Sequence, residues 1–305
     1  MREYLLGCRK NFLYAGIFSF FVNILTLSVS IYMLQVFDRV FTSRSQETLL
    51  MLTIIAVGAL LVMMALDILR SRLLLAAGVA LDSALGPKVL KTVLESASRG
   101  SGVESVSSLR EVAMVRGFLT GQGIISLFDI PWLPFYVFVI FLFHPVLGIS
   151  ALVSAALLLL LAWLNEKFTR RPIEETGTRS RHAAKFIDGG IRNAEVVSAL
   201  GMLPAVTKRW SQLNKKVIVA QVEAGYRSGL LIGISKFTRM MVQVGMMGLG
   251  AWLVIHQHLT AGGMMATTII LARALQPVES AIASWKGFVD ARSAYNRLDE
   301  MLGKL

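Results

Sequence analysis

Five ionisable side chains interrupt stretches that otherwise read as apolar: Asp129, Lys236, Arg239, Arg273 and Glu279. A charge inside hydrocarbon costs roughly 2.5–3.5 kcal/mol on insertion scales, so each of these groups is expected to face a polar passage or to be neutralised by a partner. The chemistry open to them is electrostatic, such as contact with an extended, often acidic polypeptide. Arg273 and Glu279 stand six positions apart, a poor fit to the i,i+3 or i,i+4 spacing of a helical pair, so any pairing is expected between helices. From the residues alone, lining a path and structural pairing weigh about equally. No nucleophile with a base and an orienting group is recognisable, which argues against an enzyme acting by itself. His256 and His258 stand at i,i+2 without a third ligand nearby, so they read as loop histidines and no metal site is assigned. The phosphate-binding pattern G-x-x-x-x-G-K-[ST] does not occur, so this chain is not expected to hydrolyse ATP alone.

The elements that must position these charges are helices. The chain has 305 residues, 55% of them hydrophobic and only 16% charged, against about 25% charged in soluble proteins. A membrane-crossing helix needs about 20 apolar residues, and residues 11–37, 48–66, 130–143 and 145–165 carry no charge at all. Residues 240–272 are also uncharged, but they are too many for one crossing and are broken at His256 to His258 and at Gly262-Gly263. The expected architecture is an all-α membrane protein of six spans, at about 12–37, 48–69, 122–143, 145–165, 232–255 and 263–284.

A net charge of +12 raises the possibility of a nucleic-acid partner, but the 31 Lys and Arg residues sort by side of the membrane. Three precede the first span, seven lie between Arg70 and Arg116, twelve between Lys167 and Arg227, and four follow Trp285. Only Arg39 and Arg44 fall on the other side. The positive-inside rule then places both termini in the cytoplasm with three short external connections. The first 35 residues are read as an uncleaved span, being too long and too poor in cleavage-site residues for a signal peptide. The single Cys8 forms no internal disulfide and says nothing of function.

Two long cytoplasmic segments, about 70–121 and 166–231, are rich in helix formers and in i,i+4 opposite charges. Each is expected to form a helical hairpin, with legs reaching on the order of 40 Å below the membrane. In the first, a kink is expected at Gly86-Pro87, a Gly/Ser-rich reversal follows Ser98, and Ser108 with Glu111 reads as a capping box. In the second, the chain is expected to break at Gly201, with Pro204 in the first turn of the returning helix. Hairpins of this length imply something to dock against. The tips, Arg99 to Glu104 and Leu200 with Gly201, Pro204, Lys208 and Arg209, are the candidate coupling elements. Leu119 to Gly123 is read as a helix irregularity. Pro131, Pro134 and Pro277 remove backbone donors within spans and are expected to mark kinks facing the bundle interior. Trp210 and Trp285 read as interfacial anchors.

Several patterns are recognisable as they stand. They are NILTLSVSIYMLQVFDRV at 23–40, LREVAMVRGFLTG followed by LFDIPWLPFYVFVIFLFHPVLG within 109–148, LNEKFTRRP at 164–172, RNAEVVSALGMLPAVTKRW at 192–210, and ARALQPVESAIASWKGFVDARSAYNRL at 272–298. In this order they resemble the type I secretion permease/ATPase subunits, a family of ABC exporters. The likeness is closest to the branch without an N-terminal peptidase-like domain, which exports proteases and lipases. The resemblance implies the six-helix transmembrane fold and a homodimer in the bacterial inner membrane. It also implies a nucleotide-binding domain using ATP and Mg, which is absent from this sequence. The partners it implies are a periplasmic membrane-fusion adaptor, an outer-membrane channel and an unfolded secreted polypeptide with a C-terminal signal. An ABC exporter of lipids or drugs, and a scaffold or channel without a motor, remain the alternatives.

Overall fold

The computed structural model describes residues 9–98 and 105–303, and these are helical almost throughout. The first helix, α1 (Arg9–Gln35), continues through one π turn (Val36–Val40) into Phe41–Ser43. After a turn at Arg44, the helix α2 (Gln46–Ser98) runs for 53 residues through Gly86 and Pro87 without a break. Its partner α3 (Ser105–Leu119) gives way at Thr120-Gly121 to α4 (Gln122–Asp129), so the expected irregularity there is found. A 3-10 turn (Ile130–Trp132) leads into α5 (Leu133–Phe143), and α6 (Pro145–Arg192) leaves the apolar region as one unbroken rod. A short α7 (Ala194–Ala199) forms the tip before α8 (Leu203–Ile255), α9 (Ala261–Ala283) and α10 (Trp285–Gly303).

Among the described residues, five stretches are long and apolar enough to cross a membrane: α1 with its extension, α2, α4 with α5, α6 and α8. The expected sixth span, α9, is less apolar than these for a physical reason. It packs against α1, α4, α5, α6 and α8, so its walls are protein rather than lipid. Its buried face is built from Gly262, Gly263, Ala266, Thr267, Ala274 and other small residues, which let neighbouring backbones approach closely. Thr267 and Thr268 donate to the carbonyls of Gly263 and Met264, so neither of these two hydroxyls is left unsatisfied among the apolar side chains. The core of the bundle is Tyr136, Ile140, Leu147, Leu158, Leu253, Leu271 and Leu275. Large apolar side chains of α2, among them Met51, Ile54, Ile55 and Leu61, point outward as a lipid-facing helix requires.

Below the bundle the chain makes two stalks with separate cores. In one, α2, α3 and α10 bury Leu81, Leu85, Val89, Val112, Ala294 and Leu298. In the other, α6 and α8 run side by side, meeting α10 through Ile173, Ala224 and Val289 with Trp285 packed against them. Trp285 therefore sits in a protein core, not simply at an interface.

Three local expectations are corrected. The described course of α3 begins at Ser105, so Ser108 lies inside the helix and Glu111 turns to Arg297 of α10 instead of closing a capping box. Pro131 and Pro134 are exposed, not turned to the bundle interior. The two stand on either side of Trp132, where the ladder tightens from α to a 3-10 turn and back, so the missing N–H groups fall where the α pattern is already interrupted. Pro277 is half-buried within the continuous α9.

Candidate translocation site

The intramembrane charges do not gather around one passage. Asp129, at the end of α4, receives Arg70 Nη1 at 3.0 Å and Asn23 Nδ2 at 2.9 Å. The same Arg70 nitrogen donates to Ser19 Oγ at 3.1 Å, while its Nη2 donates to Asp67 at 2.7 Å. Tyr136 Oη lies 2.9 Å from both the carbonyl and the side-chain oxygen of Asn23, available to donate to either. Arg70 is 5% exposed, and Ser19 and Asn23 are buried with it. Residue 70 lies 24 positions into α2, about 36 Å along the helix and thus at the far edge of a hydrocarbon core of about 30 Å. The cluster locks α1, α2 and α4 together at that edge.

Arg239 of α8 contacts the carboxylate of Glu279 of α9, both partly buried. The pairing is between helices, as the spacing argument expects, but Glu279's partner is Arg239 and not Arg273. Arg273 is exposed and donates to Gln276 at 3.3 Å. Lys236 is exposed on α8. Two of the five residues, Arg239 and Glu279, are thus brought together, and a third, Asp129, has the partner Arg70.

Between the two stalks lies a cavity of about 1050 Å³ walled by α3, α6, α8 and α10. Ligand clefts commonly fall within 300–1,000 Å³. Small residues create the space: Gly177 and Ser180 on α6, Gly225, Ser228 and Gly229 on α8, and Ser293 on α10. Charges of both signs surround it, with Arg181 and Lys185 facing Glu111, Asp290 and Arg297. Burial pushes the Arg181 guanidinium below its usual value, and the neighbouring Arg297 adds to this. Burial likewise raises the Asp290 carboxyl, against the attraction of Lys286, Arg297 and Arg181. Such perturbed groups around a cleft are a physical marker of a functional site. None of the five intramembrane charges lines this cavity. Its walls carry no distinctive sequence signal, since each residue type is ordinary for a solvated helix face.

The tip residues Leu200, Gly201, Pro204, Lys208 and Arg209 are all exposed. Gly201 adopts φ 62°, with its N–H bonded to Ser198 O and the next N–H, of Met202, to Val197 O. This left-handed cap ends α7 and turns the chain into α8, where Pro204 stands in the first turn. The other tip, from Arg99 to Glu104, lies outside the described residues. At the opposite end, Asp38 joins the π turn of α1 to the start of α9.

These are the parts of a transport domain, and the comparisons agree. The ABC transporter transmembrane region matches residues 12–278. The type I secretion system ATP-binding protein PrsD of Rhizobium meliloti (strain 1021) is 36% identical over 98% of this chain and 51% of its own length. The toxin RTX-I translocation ATP-binding protein of Actinobacillus pleuropneumoniae and a leukotoxin translocation ATP-binding protein LktB of Mannheimia haemolytica are each 25% identical over 96% of this chain and 42% of their own. The chain thus spans about half the length of the curated relatives it matches. It is a multi-pass membrane protein of the ABC transporter transmembrane region family, with type I secretion exporters as its kin.

Proposed function

We propose that this chain is the membrane-spanning half of an ATP-driven type I protein secretion exporter. As a homodimer it forms the path by which unfolded polypeptides with C-terminal signals leave across the inner membrane. The observation that carries the reading is the cavity of about 1050 Å³ between the stalks, bordered by charged groups of both signs and by apolar side chains such as Met114, Ile173, Val217 and Ile232. The clustering of basic residues in the stalk segments supports cytoplasmic termini. ATP and Mg²⁺ act in a nucleotide-binding domain that docks on the hairpin tips, among them Leu200, Gly201, Pro204, Lys208 and Arg209. The names of the relatives, which speak of secretion and of toxin translocation, favour protein over lipid or drug as the cargo. A periplasmic adaptor and an outer-membrane channel complete the route.

The test fills the cavity. In a full-length exporter co-expressed with adaptor and channel, Gly225→Trp and Ser228→Trp are expected to abolish secretion of a reporter bearing a C-terminal signal while basal ATPase activity persists. Undiminished secretion removes the cavity from the path. Export of a lipid or dye with no secretion of protein supports the lipid or drug reading instead.

A further inference from the structure

The outer end of α1 leaves the α-helical register. Residues Val36–Val40 form one π turn, a feature that interrupts α-helices frequently at functional positions. The extra residue in the turn carries Asp38 round to face α9. There Asp38 Oδ1 accepts from Gly262 N–H at 2.9 Å, and Oδ2 accepts from Thr260 Oγ at 2.6 Å. Thr260 Oγ also accepts from Gly263 N–H at 3.0 Å, capping α9. One carboxylate therefore closes the positive end of the central helix, directly and through Thr260. The two helices also meet backbone to backbone. A Cβ on Gly262 would stand 2.6 Å from the carbonyl oxygen of Leu34 and 2.6 Å from Asp38 Oδ1. Nothing passes between α1 and α9 while this contact holds. Deeper in, α9 is held by apolar packing on several helices and by the Glu279–Arg239 pair, but at its first turn two hydrogen bonds to one side chain make the closure. Those bonds break together when that side chain turns away.

We propose that Asp38 is the latch of an outer gate. With the π turn formed it holds the outer ends of α1 and α9 shut, and opening reverts the turn to α register, swinging Asp38 by about 100° from α9. The proposal rests on the transport reading above, with α9 bordering the path. Asp38 is a positioning residue, acting through α9 and not on the cargo.

The test uses the full-length chain with its nucleotide-binding half, reconstituted in lipid vesicles, with Cys8→Ser and a reporter Ala266→Cys. Ala266 is 1% exposed and one turn inward of Gly262. A membrane-impermeant maleimide is supplied from the outer side. The parent is expected to label slowly at rest and several-fold faster with ATP and Mg²⁺. Asp38→Ala is expected to label at the fast rate without nucleotide. Thr260→Val, which keeps the carboxylate and its bond from Gly262 but removes the hydroxyl's bonds to Asp38 and from Gly263, is expected to fall between, and Thr260→Ser to match the parent. Slow resting labelling in both Asp38→Ala and Thr260→Val overturns the latch, as does a parent whose labelling ignores ATP. Protein secretion is measured in parallel. The expected labelling pattern without secretion sinks the protein-export reading and leaves the latch standing, whereas secretion with unaltered labelling sinks the latch alone.

Discussion

The ion cluster at the edge of the membrane and the cavity between the stalks both hold arginines against carboxylates, yet they solve opposite problems. Around Arg70 the space is closed, and the guanidinium meets Asp129, Asp67 and Ser19. In low dielectric an unpaired charge costs several kcal/mol, so its partners are fixed by need. Around Arg181 and Asp290 about 1050 Å³ stays open beside the paired Glu111 and Arg297, leaving room for something to enter. A charge within an apolar segment is therefore weak evidence for a path when it is already paired within the fold. Charges around a wide cleft are stronger evidence, because the open space beside them can admit a partner.

Breaking the closed cluster should have the largest effect. Asp129→Ala or Arg70→Ala leaves a buried charge without its main partner and is expected to destabilise the protein by about 3–5 kcal/mol, read as a lower unfolding temperature in detergent. The double variant Arg70→Met with Asp129→Leu should recover most of that loss, because two apolar side chains need no pairing. A double variant no better than the singles would mean that the charges do more than neutralise each other.

Next in size is the pair joining the stalks' own helices. Glu111 is 8% exposed and Arg297 more so, and Arg297→Ala is expected to cost about 1–3 kcal/mol, the penalty of leaving a buried acceptor unmade. Thermal unfolding compared with Glu111→Gln checks this. The exposed i,i+4 pairs mark the floor of the scale. Arg227→Ala, which removes the 2.6 Å contact to Glu223, should change stability by about 0.3–0.5 kcal/mol and less at high salt.

Asp290 sharpens the contrast by pH. Its folded-state value lies above the ordinary 3.8, so the folded protein holds this proton more tightly than the unfolded chain does. Stability therefore falls as pH rises from 3.8 through the raised value. Asp290→Asn should remove that decline, giving a higher unfolding temperature than the parent at neutral pH and a smaller gap near pH 4. An equal gap at both values would show that the effect is not titration of this group.

Parts of these sites were legible in advance and parts were not. Asp129 stood out because a charge among apolar residues is conspicuous, but its partner did not. Arg70 follows the apolar run of α2 and reads as the first residue outside the membrane, although Asp67 three positions earlier offered a local hint. Arg239 and Glu279 were each conspicuous, and spacing alone ruled out an easy pair within α9 without saying which helix would supply the partner. The turn at Gly201 and the helix start at Pro204 were readable because φ above zero and a missing N–H are local properties. The cavity was unreadable, since Gly225, Ser228 and Asp290 acquire meaning only where four helices face one another.

By itself the sequence determined that this is an all-α membrane protein, where its long apolar helices lie and how its second hairpin turns at Gly201. Those are decided by runs of residues and by local backbone preference, which travel with the chain. Only the tertiary structure decided that α9 is central, that Arg70 neutralises Asp129, that Asp38 reaches Gly262 across 224 positions, and that a cavity opens between the stalks. Each depends on distances between helices far apart in sequence, set by how small and large side chains pack and not by any property of a single segment.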